Sequence, residues 1–569
     1  MKRNLRKIFG GIFKRSGREI DPDEVLLDAE NLPKFDDSQL EGHFVKPISL
    51  KSILTLCLTF AVVIIIFSIK AFSLQVTHGA DYREVSENNI LRNTPIFAER
   101  GAILDRNGEE LIWNEKSEDP SYLQRKYATT TGLAHVLGYV KYPSKDSSGF
   151  YYRDDYEGMD GIEKLWNNRI RGKNGLNIVE TNALGKIVSQ NMVEPAHQGE
   201  NITLSIDSAL SQKIFEELKS LAIKENYNGG SAVIMDIHTG EVLANVSYPE
   251  YDSQILVDGK DSATINKYLN DPYHPFLNKV VDGVYTPGSI VKPFMALAAL
   301  TEGVIDPEKK IESTGSIELP NKYFPDQKTV FKDWKALGWV DMRHALAVSC
   351  DVYFYEVGGG YKDQKGLGIS NIDKYFEMFD FGKPVNEPFF SGASGVIPSP
   401  DWKAKNFKGE EWTIGDTYHT AIGQYGFQIS PIQMVRAIAA IASNGQFVMP
   451  TLEKRDTGVI EKTLQIPEAN FQVVREGMRL AVKEGTAKPI DLPFVEIGAK
   501  SGTAEVGISK DNVNSWITGF FPYNQPKYAF LLMMERGPRT NTVGAGNAMG
   551  QVFQWMNVNK PEYFKEVLK

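Results

Sequence analysis

Ser289 and Lys292 lie three residues apart, just ahead of an apolar run, and this pair could perform nucleophilic catalysis. Pro287 and Gly288 precede the pair, so the pattern predicts a turn that leads into a helix. On a helix, this spacing places both side chains on one face, where an amine can take a proton from a hydroxyl. The helix N-terminus also offers unpaired N–H groups to a developing oxyanion. A Ser-x-x-Lys alone is more often an ordinary helix start, so other residues must decide.

Two later segments carry residues that could work with this pair. Ser349-Cys350-Asp351 follows an amphipathic run, and Lys500-Ser501-Gly502-Thr503 is predicted at the end of a strand over Val495–Ala499. Each segment is unremarkable by itself. All three occur in one order, about 60 and then about 150 residues apart, which is hard to assign to chance. Together they predict a single catalytic site built from three distant parts of the chain.

The composition indicates a folded protein and excludes several classes of function. The chain has 569 residues, a net charge of −9 and 42% hydrophobic residues, enough for several domains. No Lys/Arg block resembles a nucleic-acid footprint, so we expect no nucleic-acid partner. The two cysteines, Cys57 and Cys350, and the eight scattered histidines have no metal-binding spacing. We therefore expect no structural disulfide, no metal and no cofactor.

The chain divides into four predicted segments. Residues 1–51 are polar, basic first and then acidic, and are predicted to form a cytoplasmic tail. Residues 52–74 are long and apolar enough for a single transmembrane anchor helix. Residues 75–205 mix short strand-like runs with turns, which predicts a β-rich, non-catalytic module. Residues 206–569 contain all three candidate motifs and form the predicted catalytic domain.

The catalytic segment has a pattern typical of an α+β domain. A helix is predicted after Asp207, followed by a hairpin over residues 230–247. Three strand-like runs then close the domain: Phe494–Ala499, Ser515–Phe521 and Tyr528–Met534. We expect a mainly antiparallel sheet packed with helices.

With this set of motifs, the chain resembles class B penicillin-binding proteins, the monofunctional D,D-transpeptidases that cross-link bacterial peptidoglycan. Arg100–Gly108 and Gly158–Glu163 resemble the pedestal motifs of that family, and Ser349–Tyr355 and Ser394–Trp402 resemble its elongation-type branch, penicillin-binding protein two. The resemblance implies a penicillin-binding serine-transpeptidase fold, preceded by a dimerisation-type pedestal domain and one anchor helix. One departure is Gly423-Gln424-Tyr425-Gly426, where the family has Gly-Gln-Gly.

The resemblance implies a catalytic role for each motif residue. Ser289 would attack the carbonyl between two D-alanines, with Lys292 as its base. Lys500, at about 5 Å and an effective dielectric near 20, would repel Lys292 by roughly 3 kcal/mol, or about two pKa units. Ser349 would relay the proton to the leaving amine, and Asp351 would orient the lysines or the substrate amide.

The resemblance also implies how substrate is held. The backbone N–H groups of Ser289 and Thr503 would form the oxyanion hole. The hydroxyls of Ser501 and Thr503 would hold the terminal carboxylate, with Gly502 between them. Trp516, on a neighbouring strand, is a candidate for the cleft wall.

The implied partners are stem peptides ending in D-Ala-D-Ala, β-lactams, the lipid bilayer, a SEDS-type glycosyltransferase and cell-elongation scaffold proteins. The implied location is the bacterial inner (cytoplasmic) membrane, with the catalytic domain on its outer, periplasmic side. Three alternatives stay open: a serine β-lactamase, for which no deacylating Glu motif is found, a penicillin-sensing protein, and a scaffold without turnover. A bifunctional class A protein is excluded, since the roughly 130 residues ahead of the catalytic segment are too few for a glycosyltransferase.

Overall fold

The fold is described from a computed structural model, which describes residues 49–83, 91–117, 122–146, 151–181, 187–321, 324, 326–387 and 390–565. The chain separates into two units, Met1–Ile90 and Leu91–Lys569. Of the predicted tail over residues 1–51, residues 1–48 lie outside the described residues. The boundaries of the four predicted segments therefore stay a prediction.

The first unit contains a long apolar helix, α1 (Leu50–Phe72), which continues as one π-helical turn over Ser73–Thr77. Ser49 caps its start by accepting the backbone N–H of Ser52 at 3.1 Å. Every α1 side chain is exposed. In the part of the chain that the structure describes, it is the one helix long and apolar enough to cross a membrane. It overlaps the predicted span over residues 52–74.

The second unit begins with short strands, as the turn-rich sequence of residues 75–205 predicted. The strands are β1 (Leu91–Ile96), β2 (Ile103–Leu104), β3 (Glu110–Lys116), β4 (Leu123–Tyr127), β5 (Val140–Lys141), β6 (Ser144–Lys145), β7 (Tyr151–Arg153), β8 (Glu157–Gly158), β9 (Gly175–Thr181), β10 (Ile187–Glu194) and β11 (Ile202–Thr203). They form two larger sheets, with strand orders β1-β9-β10 and β11-β2-β3-β4, and two strand pairs, β5-β8 and β6-β7. The helices are α2 (Ala134–Leu137), α3 (Gly161–Leu165) and α4 (Asn167–Ile170).

A buried ionic cluster joins the two pedestal motifs. Glu163 accepts hydrogen bonds from Arg100 Nε at 2.6 Å and from Arg125 Nε at 2.8 Å. All three side chains are fully buried. Removal of one partner from such a cluster leaves an uncompensated charge, which typically costs about 3–5 kcal/mol. The cluster therefore ties the segments around Gly101 and Gly161 together.

The catalytic segment is built on a five-stranded sheet that is antiparallel throughout. The strands of this segment are β12 (Gly229–Asp236), β13 (Val242–Tyr248), β14 (Ile311–Ser313), β15 (Ser316–Pro320), β16 (Lys328–Lys332), β17 (Gly338–Val340), β18 (Asn386–Glu387), β19 (Phe390–Ser391), β20 (Gln446–Val448), β21 (Ile460–Thr463), β22 (Gly498–Val506), β23 (Asn512–Phe521) and β24 (Tyr528–Pro538). The five-stranded sheet has the order β13-β12-β24-β23-β22, so its first pair is the predicted hairpin and β22 lies at the edge.

Helices cover both faces of this sheet, because successive strand residues point to opposite sides. Ala232 and Ile234 pack in one core cluster, and Val233 and Met235 pack in the other. The helices are α5 (Ser208–Glu225), α6 (Ser253–Asp258), α7 (Ser262–Asn270), α8 (Lys292–Thr301), α9 (Met342–Ala347), α10 (Asp351–Gly359), α11 (Ile369–Met378), α12 (Pro400–Asn406), α13 (Ile414–Ala421), α14 (Pro431–Ala442), α15 (Glu468–Lys483) and α16 (Ala545–Asn559). The predicted α+β class is confirmed.

The predicted strand over Phe494–Ala499 is wrong in its bounds. Strand β22 begins at Gly498 and continues to Val506, so Lys500-Ser501-Gly502-Thr503 lies within a strand and not at its end. Pairing with β23 sets these bounds, since Lys500 lies opposite Thr518 and Gly502 opposite Trp516. The motif therefore occupies the edge of the sheet, where main-chain groups stay available to another chain.

Candidate active site

Ser289 lies on a turn at the start of a buried helix. Gly288–Val291 forms one turn of 3-10 helix, and α8 continues from Lys292. The predicted turn and helix are both present. Ser289 is half-buried and lines a cavity of about 460 Å³, together with Ser349, Asp351 and Ser501. The sheet edge and two helix starts therefore meet at one cavity.

Lys292 links the first two motifs. Its amine is fully buried and donates to the Ser349 carbonyl at 2.8 Å, to Ser349 Oγ at 3.2 Å and to Asp351 Oδ1 at 2.5 Å. Three acceptors match the three donors of a protonated lysine. Among the residues that the structure describes, no hydrogen bond joins Lys292 to Ser289, so the expected proton transfer between them stays a prediction.

The Ser349 segment is a tight connection between α9 and α10. Ser349 has φ +58°, a left-handed conformation that costs a non-glycine residue about 1–2 kcal/mol. This connection gives Lys292 two acceptors from one residue, the carbonyl and the hydroxyl oxygen. Asp351 is the first residue of α10, where the positive end of the helix dipole favours a carboxylate.

Asp333 anchors this segment from outside all three motifs. Its Oδ2 accepts hydrogen bonds from Cys350 Sγ at 3.1 Å, from the Val352 N–H at 3.0 Å and from Ser313 Oγ at 3.1 Å. Burial and the Asp333 charge raise the pKa of the Cys350 thiol to about 12. Asp333 follows β16 with no local motif, so the sequence contained no signal for it.

Lys500 supplies a second buried amine beside this network. It is fully buried and donates to the Ser501 carbonyl at 2.8 Å. Burial, with the positive charge of Lys292, lowers the pKa of Lys500 well below its usual value. Burial also raises the pKa of the Asp351 carboxyl, although its contact with Lys292 opposes that shift. The expected effect of Lys500 on Lys292 stays a prediction.

The remaining predicted residues line the same cavity. Ser501, Gly502, Thr503 and Trp516 all lie on its wall, from strands β22 and β23. The Ser501 hydroxyl is hydrogen-bonded to the Thr486 hydroxyl at 2.6 Å, and Thr503 is exposed. A Cβ at Gly502 would lie 2.8 Å from Ile290 Cγ2, so glycine allows the strand to approach the Ser289 turn closely.

Trp516 is buried and also connects the strand to the Ser289 segment. Its indole N–H donates to the Thr286 carbonyl at 3.1 Å, and its ring contacts Tyr285 edge-on at 6.2 Å. The side chain is only 1% exposed. Its position therefore fits both a cleft wall and a support for the turn.

The loop that departs from the family pattern supports the Ser289 turn from behind. The Gly423 carbonyl accepts the Gly288 N–H at 2.9 Å. Tyr425, at φ +62°, stacks on Phe407 with ring centroids 5.9 Å apart and packs edge-on against Trp402 and Trp412. Tyr425 is not among the described residues that line the cavity. The loop over residues 423–426 thus differs from the family pattern where it supports the Ser289 turn, and its Tyr425 does not line the cavity.

Most other residues of the cavity wall were missed by the sequence reasoning, and three of them carry side chains that matter to the site. Trp334 donates its indole N–H to the Val348 carbonyl at 3.2 Å, the Thr486 hydroxyl accepts a hydrogen bond from Ser501, and Arg539 directly follows strand β24. Each comes from a segment distant in sequence from the motif it serves. Within the described residues, no group of three or more His, Cys, Asp or Glu side chains is arranged to hold a metal.

Two family models match the chain. The penicillin binding protein transpeptidase domain matches residues 230–554, and the penicillin-binding protein dimerisation domain matches residues 120–204. The first match covers more than half of the chain and includes every candidate site residue.

Two curated relatives are both named peptidoglycan D,D-transpeptidase MrdA. The peptidoglycan D,D-transpeptidase MrdA of Haemophilus influenzae is 31% identical over 482 residues, which is 78% of this chain and 71% of the relative. The MrdA protein of Escherichia coli is 30% identical over 478 residues, 77% of this chain and 71% of the relative.

Solved structures agree with this similarity. Pseudomonas aeruginosa PBP2 in complex with WCK 5153 has a TM-score of 0.69 and 29% identity, covering 84% of this chain and 99% of that one. Helicobacter pylori PBP2, solved in complex with MreC, has a TM-score of 0.70 and 25% identity, covering 83% and 100%. The chain therefore belongs to the penicillin-binding protein transpeptidase family, and its similarity to the MrdA, or PBP2, branch confirms the resemblance inferred from its motifs.

Proposed function

We propose that this chain is an elongation-type peptidoglycan D,D-transpeptidase that works through an acyl-enzyme on Ser289. The observation that carries the proposal is the Lys292 amine, which contacts both Ser349 and Asp351 beside the Ser289 turn. A hydroxyl nucleophile, a buried amine and a second hydroxyl in one cavity are the groups that acyl transfer requires.

In the first step, Ser289 Oγ attacks the carbonyl between two D-alanines and its proton passes to Lys292. The C–O bond to Ser289 forms as the C–N bond to the terminal D-alanine breaks. The Ser349 hydroxyl, 3.2 Å from Lys292 Nζ, returns the proton to the leaving amine. The oxyanion is held by the N–H groups of Ser289 and Thr503, each such donor contributing about 3 kcal/mol.

In the second step, an amine from a neighbouring stem peptide attacks the ester, and Ser289 regains its proton. The same residues act in the reverse direction, because acylation and its reversal share one path. A β-lactam supplies a strained amide to the same nucleophile. Its ester is expected to persist when no amine acceptor is present.

Lys292 must be neutral when it accepts the Ser289 proton. Asp351 Oδ1 lies 2.5 Å from the Lys292 amine and holds it beside Ser349. We therefore assign Asp351 to orienting Lys292.

The test is the intact mass of the full chain in detergent after incubation with benzylpenicillin, with Ser289→Ala as the matched control. We expect one stable penicillin adduct on the wild type and none on the variant. Consumption of the drug without a lasting adduct would favour a β-lactamase instead. An unmodified wild type with the drug intact would overturn the enzymatic proposal and favour a scaffold.

We infer that α1 anchors the protein in the cytoplasmic membrane, with the catalytic segment on the outer side. The support is one exposed apolar helix and the basic residues among the first eighteen, which favour a cytoplasmic N-terminus. Protease added to intact spheroplasts should digest the catalytic segment but spare the N-terminal tail. Protection of both would contradict this orientation.

A scaffold partner is proposed from the relatives. Helicobacter pylori PBP2 was solved in complex with MreC, so we propose that this chain also binds a cell-elongation scaffold protein of that kind. A SEDS-type glycosyltransferase partner stays a prediction from the family resemblance, as does the division of the chain into tail, anchor, pedestal and catalytic domain. Co-purification of the tagged full-length chain with the scaffold protein and with the glycosyltransferase would test these two partners.

A further inference from the structure

The catalytic cavity continues past Trp516 to a wall that none of the roles above uses. This far wall consists of Tyr227, Ser515 and the loop over residues 539–544, between β24 and α16. It belongs to the same cavity as Ser289, so a substrate bound at Ser289 can reach it.

The far wall is held by two hydrogen bonds to neighbouring segments and by one hydrogen bond within the wall itself. The Arg539 N–H donates to the Asp511 carbonyl at 2.8 Å, and Asn541 Nδ2 donates to the Glu225 carbonyl at 2.7 Å. The Tyr227 hydroxyl donates to the Val543 carbonyl at 3.2 Å. A loop fixed at both ends presents its side chains with little loss of entropy on binding.

Arg539 is the one cation among the described residues that line the cavity, and Asp351 is the one carboxylate. The amines of Lys292 and Lys500 are fully buried and do not belong to the wall. Charge at the exposed end of the cavity is therefore set by Arg539.

The Arg539 charge is only partly neutralised. Its Nη1 contacts Glu505 Oε1 at 3.0 Å, and Lys510 Nζ contacts the same carboxylate at 3.2 Å. One anion is thus shared by two cations, and neither Glu505 nor Lys510 lines the cavity. The Arg539 side chain is 61% exposed, so the rest of its guanidinium is open to a ligand. A planar guanidinium binds a carboxylate through two parallel hydrogen bonds.

We propose that Arg539 binds a second carboxylate of the acyl donor, separate from the terminal carboxylate assigned to Ser501 and Thr503. The preferred donor is then a stem peptide that carries an acidic group ahead of the scissile D-Ala-D-Ala bond. This inference rests on the proposed function, because it deepens the specificity of the Ser289 site. Arg539 selects the donor and takes no part in proton transfer.

The test compares benzylpenicillin with carbenicillin, which differ by one carboxylate on the acyl side chain. Second-order rate constants for acylation of Ser289 are measured by intact mass on full-length chain in detergent. The readout is the ratio of the carbenicillin rate to the benzylpenicillin rate. It is measured for the wild type, Arg539→Ala, Arg539→Lys and the matched control Lys510→Ala, which removes a cation from Glu505 but not from the cavity.

We expect the ratio to fall about fivefold in Arg539→Ala, the size of an exposed but well-oriented ion pair. Arg539→Lys should retain part of the ratio, because it keeps the charge and loses the paired hydrogen bonds. Lys510→Ala should lower the ratio by less than Arg539→Ala does, because it keeps the cavity cation but leaves Glu505 to pair with Arg539 alone. At 1 M salt the difference between wild type and Arg539→Ala should shrink, because the Debye length falls to about 3 Å.

Two outcomes would overturn the inference while the proposed function stands. An unchanged ratio in Arg539→Ala would show that no second carboxylate is bound there. An equal slowing with both drugs would show that Arg539 serves a group common to both, or only the fold. Failure of the wild type to be acylated by either drug would instead overturn the proposed function, and this inference with it.

Discussion

Gly423→Ala should disable the Ser289 turn without touching the cavity wall. Gly423 has φ +75°, and a Cβ built on it would lie 2.2 Å from the Gly288 carbonyl oxygen. To reach an ordinary contact of 3.4 Å, the two segments must part by about 1.2 Å. Gly288 precedes Ser289, and a displacement of about 1 Å in a reacting group can cost up to about 100-fold in rate.

The matched control is Gly303→Ala, just past the other end of α8. Gly303 has φ +66°, and an added Cβ would meet nothing within 4 Å. Both variants pay about 1–2 kcal/mol for an alanine in the left-handed region. Only Gly423→Ala adds the contact with Gly288, so the difference between the two variants isolates that contact.

The assay is the rate of benzylpenicillin acylation by intact mass, on protein whose circular dichroism spectrum matches the wild type. We expect Gly423→Ala to be acylated at least about tenfold more slowly, and Gly303→Ala to stay within about twofold of the wild type. A folded Gly423→Ala with the wild-type rate would refute the view that this loop positions Ser289. Equal slowing in both variants would attribute the effect to general destabilisation.

Two further predictions concern single carboxylates. Asp333→Asn should lower the free energy of unfolding by about 1–3 kcal/mol, because three donors lose a charged acceptor. An unchanged urea midpoint would contradict this anchor. Burial raises the pKa of the Glu250 carboxyl to about 7, so between about pH 4.5 and 7 the folded state holds a proton that the unfolded state has lost. The free energy of unfolding should therefore fall as pH rises through this range. Glu250→Gln should remove this slope, which is worth about 3 kcal/mol between pH 4.5 and 8. Thermal denaturation at these two pH values measures it, and the same pH dependence in both proteins would contradict the prediction.

The elements with strong local patterns were predictable from the sequence. The helix predicted after Asp207 begins there as α5, and the hairpin and the last two strands contain the predicted runs. The Phe494–Ala499 strand was misplaced because its apolar residues lie at the approach to β22, whereas pairing with β23 decides where the strand runs. Local hydrophobicity carries no information on that register.

Only the site residues that lie within short sequence motifs could be predicted. Ser289, Ser349 and Lys500 were found because each lies in a recognisable short pattern. Asp333 and Arg539 enter the site through the tertiary fold, from the end of β16 and from the loop after β24. Their neighbours in sequence do not mark them, so no reading of local spacing could have placed them beside Ser289.

The edge position of β22 has a consequence for how the protein survives in the cell. Among the described strands, β22 pairs with β23 alone, so its outer main-chain groups have no strand partner. An open edge also invites unwanted association between protein molecules. An acyl donor that extends the sheet occupies that edge during turnover. A bound stem peptide or β-lactam thus also covers the exposed sheet edge. The acylated protein should therefore show slower amide hydrogen exchange along β22, and it should aggregate less than the free protein.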